Sequence, residues 1–182
     1  SSDMLGAGRP FFADTAPDRL GHKALAVNLS DLAACGARPL AFTLALALPA
    51  ADPAWLEPFS RGLLALADAH GCELIGGDTT QGPLNICITV LGEVPSGAAR
   101  RAGQPATKAL LRSGAAPGDD VYVSGTLGDA RLALEALQGR IQLPGAVLHA
   151  ARQRLEQPTP RVALGLALRG VASAAADISD GL

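Results

Sequence analysis

The chain has 182 residues, 48% hydrophobic and 18% charged, which excludes a disordered segment and suits one medium domain or two small ones. Fifteen Lys+Arg against seventeen Asp+Glu leave a formal charge of -2, so nothing electrostatic points to nucleic acid or an anionic membrane surface. With no run of eighteen apolar residues and no basic-then-apolar leader, a soluble cytoplasmic protein is expected.

In chain order, Asp3 follows two hydroxyl residues on what reads as a strand. Apolar residues at helical spacing between Leu20 and Gly36 predict a helix opened by Pro17-Asp18 and closed by glycine. Leu40–Leu48 predicts a strand ending at Pro49, and Pro53–His70 a second helix with proline in its first turn and Gly71 beyond its end. Cys72–Ile75 reads as a short strand running into a Gly76-Gly77-Asp78 turn, and β-branched Asn85–Val94 as another strand. Ser96–Lys108 is small, basic and punctuated by Gly and Pro and reads as a loop or linker, which places a boundary near residues 96–117. Beyond it a new pattern begins: strand Val121–Ser124, helices near 129–137, 145–156 and 160–171, and a last strand at Ala174–Ile178. The class expected is α/β (α+β): an N-terminal mixed β-sheet with helices packed on it, followed by the start of a second α/β domain.

Cys35, Cys72 and Cys87 show no CxxC spacing and lie in apolar runs, which predicts free buried thiols. His22, His70 and His149 have no metal-ligand spacing. There is no GxxxxGK[ST] or GxSxG, and Gly6-Ala7-Gly8-Arg9-Pro10-Phe11 fails GxGxxG at its last position. A covalent nucleophile is not expected. The aspartates carry more information. Asp31 sits among Leu29, Leu32, Ala33 and Ala34, where a carboxylate is costly unless paired or bound to a cation; a solvent-facing position on an amphipathic helix is the plain alternative. Asp78 follows an apolar strand and two glycines, a setting for Mg²⁺ and phosphate as well as for a simple polar turn. Asp177 and Asp180 flank Ile178-Ser179, which suits a hard cation or a helix N-cap. Jointly, five aspartates at element ends or in apolar settings point to a polyphosphate site with several divalent ions.

The strings KALAVNLSDLAACGARP (23–39), LIGGDTTQGPLNICITVLGEVP (74–95), RSGAAPGDDVYVSGTLGDA (112–130) and AADISDGL (175–182) closely resemble the thiamine-monophosphate kinase family, within the aminoimidazole ribonucleotide synthetase-like superfamily. The resemblance is collinear over almost the whole chain. It implies direct, in-line transfer of the ATP γ-phosphoryl group to thiamine monophosphate, giving thiamine diphosphate, with several Mg²⁺ ions and no phospho-enzyme. It places metal ligands at Ser1, Ser2, Asp3, Asp31, Asp78, Asp177 and Asp180, and nucleotide contacts at Gly77, Asp78, Arg112 and Ser179. It further implies a homodimer, an ATP/magnesium-binding domain at 1–111 and the beginning of a C-terminal domain at 112–182. The strings begin after the family's first metal aspartate and end early in its C-terminal domain, so a piece of a longer protein, inactive alone, is expected. Pro10 stands where the family usually has a substrate-side histidine, and the 97–108 loop is longer than usual and reads as a surface insertion. A sister ATP-dependent synthetase and a catalytically incompetent dimerisation module are the alternatives.

Overall fold

The computed structural model of the chain describes residues 1–6, 14–96 and 109–179. Strands β1 (Ser2–Gly6), β2 (Arg38–Leu48), β3 (Glu73–Gln81) and β4 (Asn85–Glu93) form one mixed sheet in the order β1-β4-β2-β3. β4 runs antiparallel to both β1 and β2, while β2 and β3 are parallel. That parallel pair needs a crossover, and helix α2 (Pro53–His70) supplies it.

Helix α1 (Pro17–Ala34) and α2 cover one face of the sheet. Period-two alternation sends Leu5, Phe42, Leu46, Ile86, Ile88 and Val90 into this layer, where they meet Leu25, Leu29, Phe59 and Leu63 of the helices. The two helices cross closely because glycines stand at the crossing. A Cβ on Gly62 would lie 1.9 Å from the Asp18 carbonyl oxygen, and one on Gly21 would lie 2.1 Å from that of Phe59. Asp52 caps α2 by accepting from the Ala54 amide at 3.0 Å, and Gly71 ends it in the left-handed conformation at φ 58°. Of the cysteines expected to be buried, only Cys72 is, and burial pushes its thiol up to about 11; Cys35 is exposed beyond the end of α1, and Cys87 is half-buried.

The opposite face of the sheet is open. Ser2, Met4, Thr43, Ala45, Cys87, Thr89 and Leu91 share it by register. Met4 is 63% exposed and Leu91 47% exposed.

After the boundary come a 3-10 turn at Arg112–Gly114 and helices α3 (Asp129–Leu137), α4 (Gly145–Glu156) and α5 (Val162–Leu168). α3 packs on α4, and α5 packs on α1 through Gly165, where a Cβ would lie 2.1 Å from the Ala33 carbonyl oxygen. Two expectations fail here. Val121–Ser124 and Ala174–Ile178 are not strands, and Val121 and Tyr122 are 94% and 88% exposed. β-branched and aromatic residues favour a strand only when a neighbouring strand accepts its hydrogen bonds, and among the described residues none is offered to these segments. The last helix also stops at Leu168, short of the expected 171.

Candidate active site

The site grows from the C-terminal half of α1. Burial of one stripe of this helix against the sheet leaves Ser30 and Asp31 half-exposed on its flank, above the start of β1. Ser1 is held to β4 by main-chain hydrogen bonds in both directions with Val90, of 2.9 and 3.0 Å. Its hydroxyl donates to Asp31 Oδ2. Asp3 lies in register with Ile88, hence on the helix-covered face, and its side chain hydrogen-bonds Asp31. Asp177, in the segment after α5, completes the group: its carboxylate accepts from the Ser30 side chain and faces both Asp31 and Arg112.

The electrostatics of Asp3 and Asp177 follow from this placement. Burial, followed by the negative charges of Asp31 and Asp177, raises Asp3 above the ordinary carboxylate range. Burial and then Asp31 likewise raise Asp177, opposed by hydrogen bonds from its own amide and Ser30 and by the Arg112 guanidinium. Asp3 and Asp177, each raised by burial and by the charge of Asp31, mark a patch where negative charge is concentrated. Among the described residues no group of three or more His, Cys, Asp or Glu side chains is placed to hold a metal ion. The donor types present, carboxylate and hydroxyl oxygens, are those of Mg²⁺, a hard cation that keeps several waters and is commonly bound through only one or two carboxylates.

Structure therefore joins Ser1, Asp3, Asp31, Asp177 and Arg112. Ser30, which sequence reasoning passed over, joins them; its signal was a hydroxyl immediately before the unusual helical aspartate. Other residues stand apart. Ser2 points to the open face, where its hydroxyl meets Thr89 Oγ1 at 3.0 Å. Gly76-Gly77-Asp78 is not a turn, because β3 runs through it to Gln81. Gly77 makes this possible: a Cβ there would lie 1.8 Å from the Leu44 carbonyl oxygen of β2. Asp78 is in register with Ala45, and Ala45 with Cys87, so its carboxylate opens on the face opposite to Asp3. It makes no side-chain hydrogen bond or ion pair among the described residues, and neither does exposed Ser179. Asp180, Pro10 and the 97–108 loop lie outside the described residues.

A mixed sheet covered on one face by two helices, with carboxylates and an arginine gathered at the flank of one of them, defines an α+β protein. Residues 1–94 match the model of AIR synthase related protein, N-terminal domain, and the chain belongs to that family. It is 50% identical over 183 residues to thiamine-monophosphate kinase of Salmonella typhimurium, covering 100% of this chain and 53% of the relative. The structure of thiamine-monophosphate kinase from Stenotrophomonas maltophilia K279a matches with a TM-score of 0.88 and 49% identity, over 100% of this chain and 56% of that one. AaThiL complexed with AMPPCP and TMP matches with a TM-score of 0.85 and 33% identity, over 100% of this chain and 56% of that one. The chain thus spans about half the length of the curated relatives it matches.

Proposed function

We propose that this chain is the nucleotide- and metal-binding part of a thiamine-monophosphate kinase, which moves the γ-phosphoryl group of ATP to thiamine monophosphate and yields thiamine diphosphate and ADP. The observation that carries this reading is the 50% identity along the whole chain to an enzyme of that name. The complex of AaThiL with AMPPCP, a methylene analogue of ATP, supports the nucleotide. In this reading Asp3, Asp31 and Asp177 hold magnesium with the hydroxyls of Ser1 and Ser30, and bound Mg²⁺ supplies neutralisation of phosphate charge. Arg112 offers its planar donor fork to the nucleotide phosphates. Phosphoryl transfer needs positioning and charge neutralisation more than a covalent nucleophile, which suits this set of residues.

Gly77, Asp78 and Ser2 are proposed to act from the open face of the sheet, Asp78 and Ser2 as further metal ligands, and Asp180 and Ser179 to extend the site beyond Asp177. A second copy of the chain is proposed to cover the open face, which exposes Met4 and Leu91 and is otherwise lined by small side chains. The domain division proposed is 1–111 and 112–182, the setting cytoplasmic, and the 182 residues alone are expected to turn over nothing. No described helix is long and apolar enough to cross a membrane.

The test uses the full-length gene product with ATP, Mg²⁺ and thiamine monophosphate, followed by phosphorus NMR. A new diphosphate signal with stoichiometric ADP is expected, and its loss in Asp31→Asn. Mg-ATP binding without transfer would refute the kinase and favour a sister synthetase of the family.

A further inference from the structure

Asp3 and Asp31 belong to the sheet-and-helix region, whereas Asp177 arrives from a segment more than 140 residues further along. Something must fix where that segment comes to rest. Gly165 against Ala33 is one point of attachment, near the site end of α1. The second lies at the far end of α1, about 18 Å away along the helix axis for the twelve residues from Arg19 to Asp31. There Glu156, the last residue of α4, is only 2% exposed. Arg19 Nη1 of α1 donates to its Oε2 at 2.7 Å, and Arg152 Nε, one helical turn earlier on α4, donates to its Oε1 at 2.6 Å. Arg152 also reaches across to Asp14 Oδ2 at 3.2 Å. His22 Nε2, on the next turn of α1 after Arg19, lies 2.9 Å from the Pro158 carbonyl oxygen. The negative charge of Glu156 extends to Lys23 as well.

A carboxylate this deeply buried between two guanidiniums has little freedom to slide. Both oxygens are directed, and displacing it would strand buried charge. Stability alone is a poor explanation for such a pair, because a well-packed apolar substitute usually does as well. What an apolar contact would lack is axial register. A hydrophobic side chain tolerates a shift along α1, whereas a carboxylate bonded to Arg19 does not. We infer that Glu156 is a positioning residue: its bond to Arg19 fixes α4 and α5 lengthwise on α1 and so sets Asp177 beside Asp31. This rests on the proposed metal site, and extends it to a residue that touches neither metal nor substrate.

Mn²⁺, read by electron paramagnetic resonance, serves as the probe of the chain, with circular dichroism and thermal melting as the check on folding. Asp31→Asn defines the specific binding. Glu156→Gln and Arg19→Met are expected to weaken specific Mn²⁺ binding about tenfold at temperatures where both remain fully helical, and Arg19→Lys, which keeps the charge and one donor, is expected to recover most of it. Mn²⁺ affinity within twofold of the parent chain in both Glu156→Gln and Arg19→Met would overturn the inference and leave the metal site standing. Loss of fold in both variants would overturn it as well, since the bond would then serve the whole structure. Absence of any Mn²⁺ binding that Asp31→Asn removes would overturn the metal site itself, and this inference with it.

Discussion

The region before residue 97 and the region after 108 reach order by different routes. In the first, four strands and two helices close on a shared layer in which Phe42, Leu25, Leu29 and Phe59 are at most 1% exposed. In the second, three helices form and few side chains are buried, among them Ala133, Ala151 and Val162. Helices satisfy their main-chain hydrogen bonds internally, so they appear wherever the local pattern asks for them. Strands depend on a neighbour, and Val121–Ser124 and Ala174–Ile178 have none among the described residues. The second region is thus held by what it leans on, chiefly α1.

That contrast can be broken experimentally. Phe42→Ala should cost about 3–5 kcal/mol in urea unfolding, the cost of a large cavity in a closed core, while Tyr122→Ser in the second region should stay within about 0.5 kcal/mol. Equal losses would mean that the two regions are equally cooperative. Gly165→Ala addresses the joint itself. Its methyl would press on the Ala33 carbonyl, so a loss of about 1–3 kcal/mol is expected, with the melting of α3–α5 separating from that of the sheet. Asp52→Ala, which removes a cap wholly inside the first region, should cost about 1 kcal/mol without splitting the transition.

The smallest effect is a dependence on pH. Burial, and then the neighbouring His22, hold His70 below its ordinary value of 6.5. The unfolded chain therefore binds a proton more readily than the native one, so stability is full above pH 6.5 and falls as the pH drops through the lowered native value. Urea midpoints at pH 7.5 and 5.5 should show this slope in the parent chain, and His70→Gln should flatten it. An unchanged slope would assign it to other groups.

Legibility in the sequence follows the same division. The bounds of α2 were readable because Pro53 and Gly71 mark positions with one physical meaning each, and α1 was readable from its apolar spacing. β2 was readable as a partly alternating apolar run with marked bounds and β4 from its β-branched residues, whereas β3 was readable only as far as Ile75. The passage of β3 through Gly76-Gly77-Asp78 was not, because glycines usually announce a turn and here they admit a neighbouring carbonyl. Asp31 stood out by its apolar surroundings, and the structure does place Asp3 and Asp177 beside it. No local pattern could show that Asp78 faces the other side of the sheet, since a side chain's face depends on register across strands. Glu156 was equally silent: as a letter in RQRLEQ it looks like one more solvated charge, and only the packing of α4 on α1 buries it.

The first strand has a further consequence, which concerns time more than place. Ser2 pairs with Thr89 across 87 positions of chain, whereas β2, α2, β3 and β4 are successive in sequence and can associate as they emerge. Closing so long a loop carries a large entropic penalty that is offset only when most other contacts already exist. β1 is therefore the last piece of the sheet to dock, and it carries Ser1 and Asp3. Until it docks, β4 is an unprotected edge and Asp31 lacks Ser1 and Asp3 beside it, so this cluster is assembled in the closing step of folding.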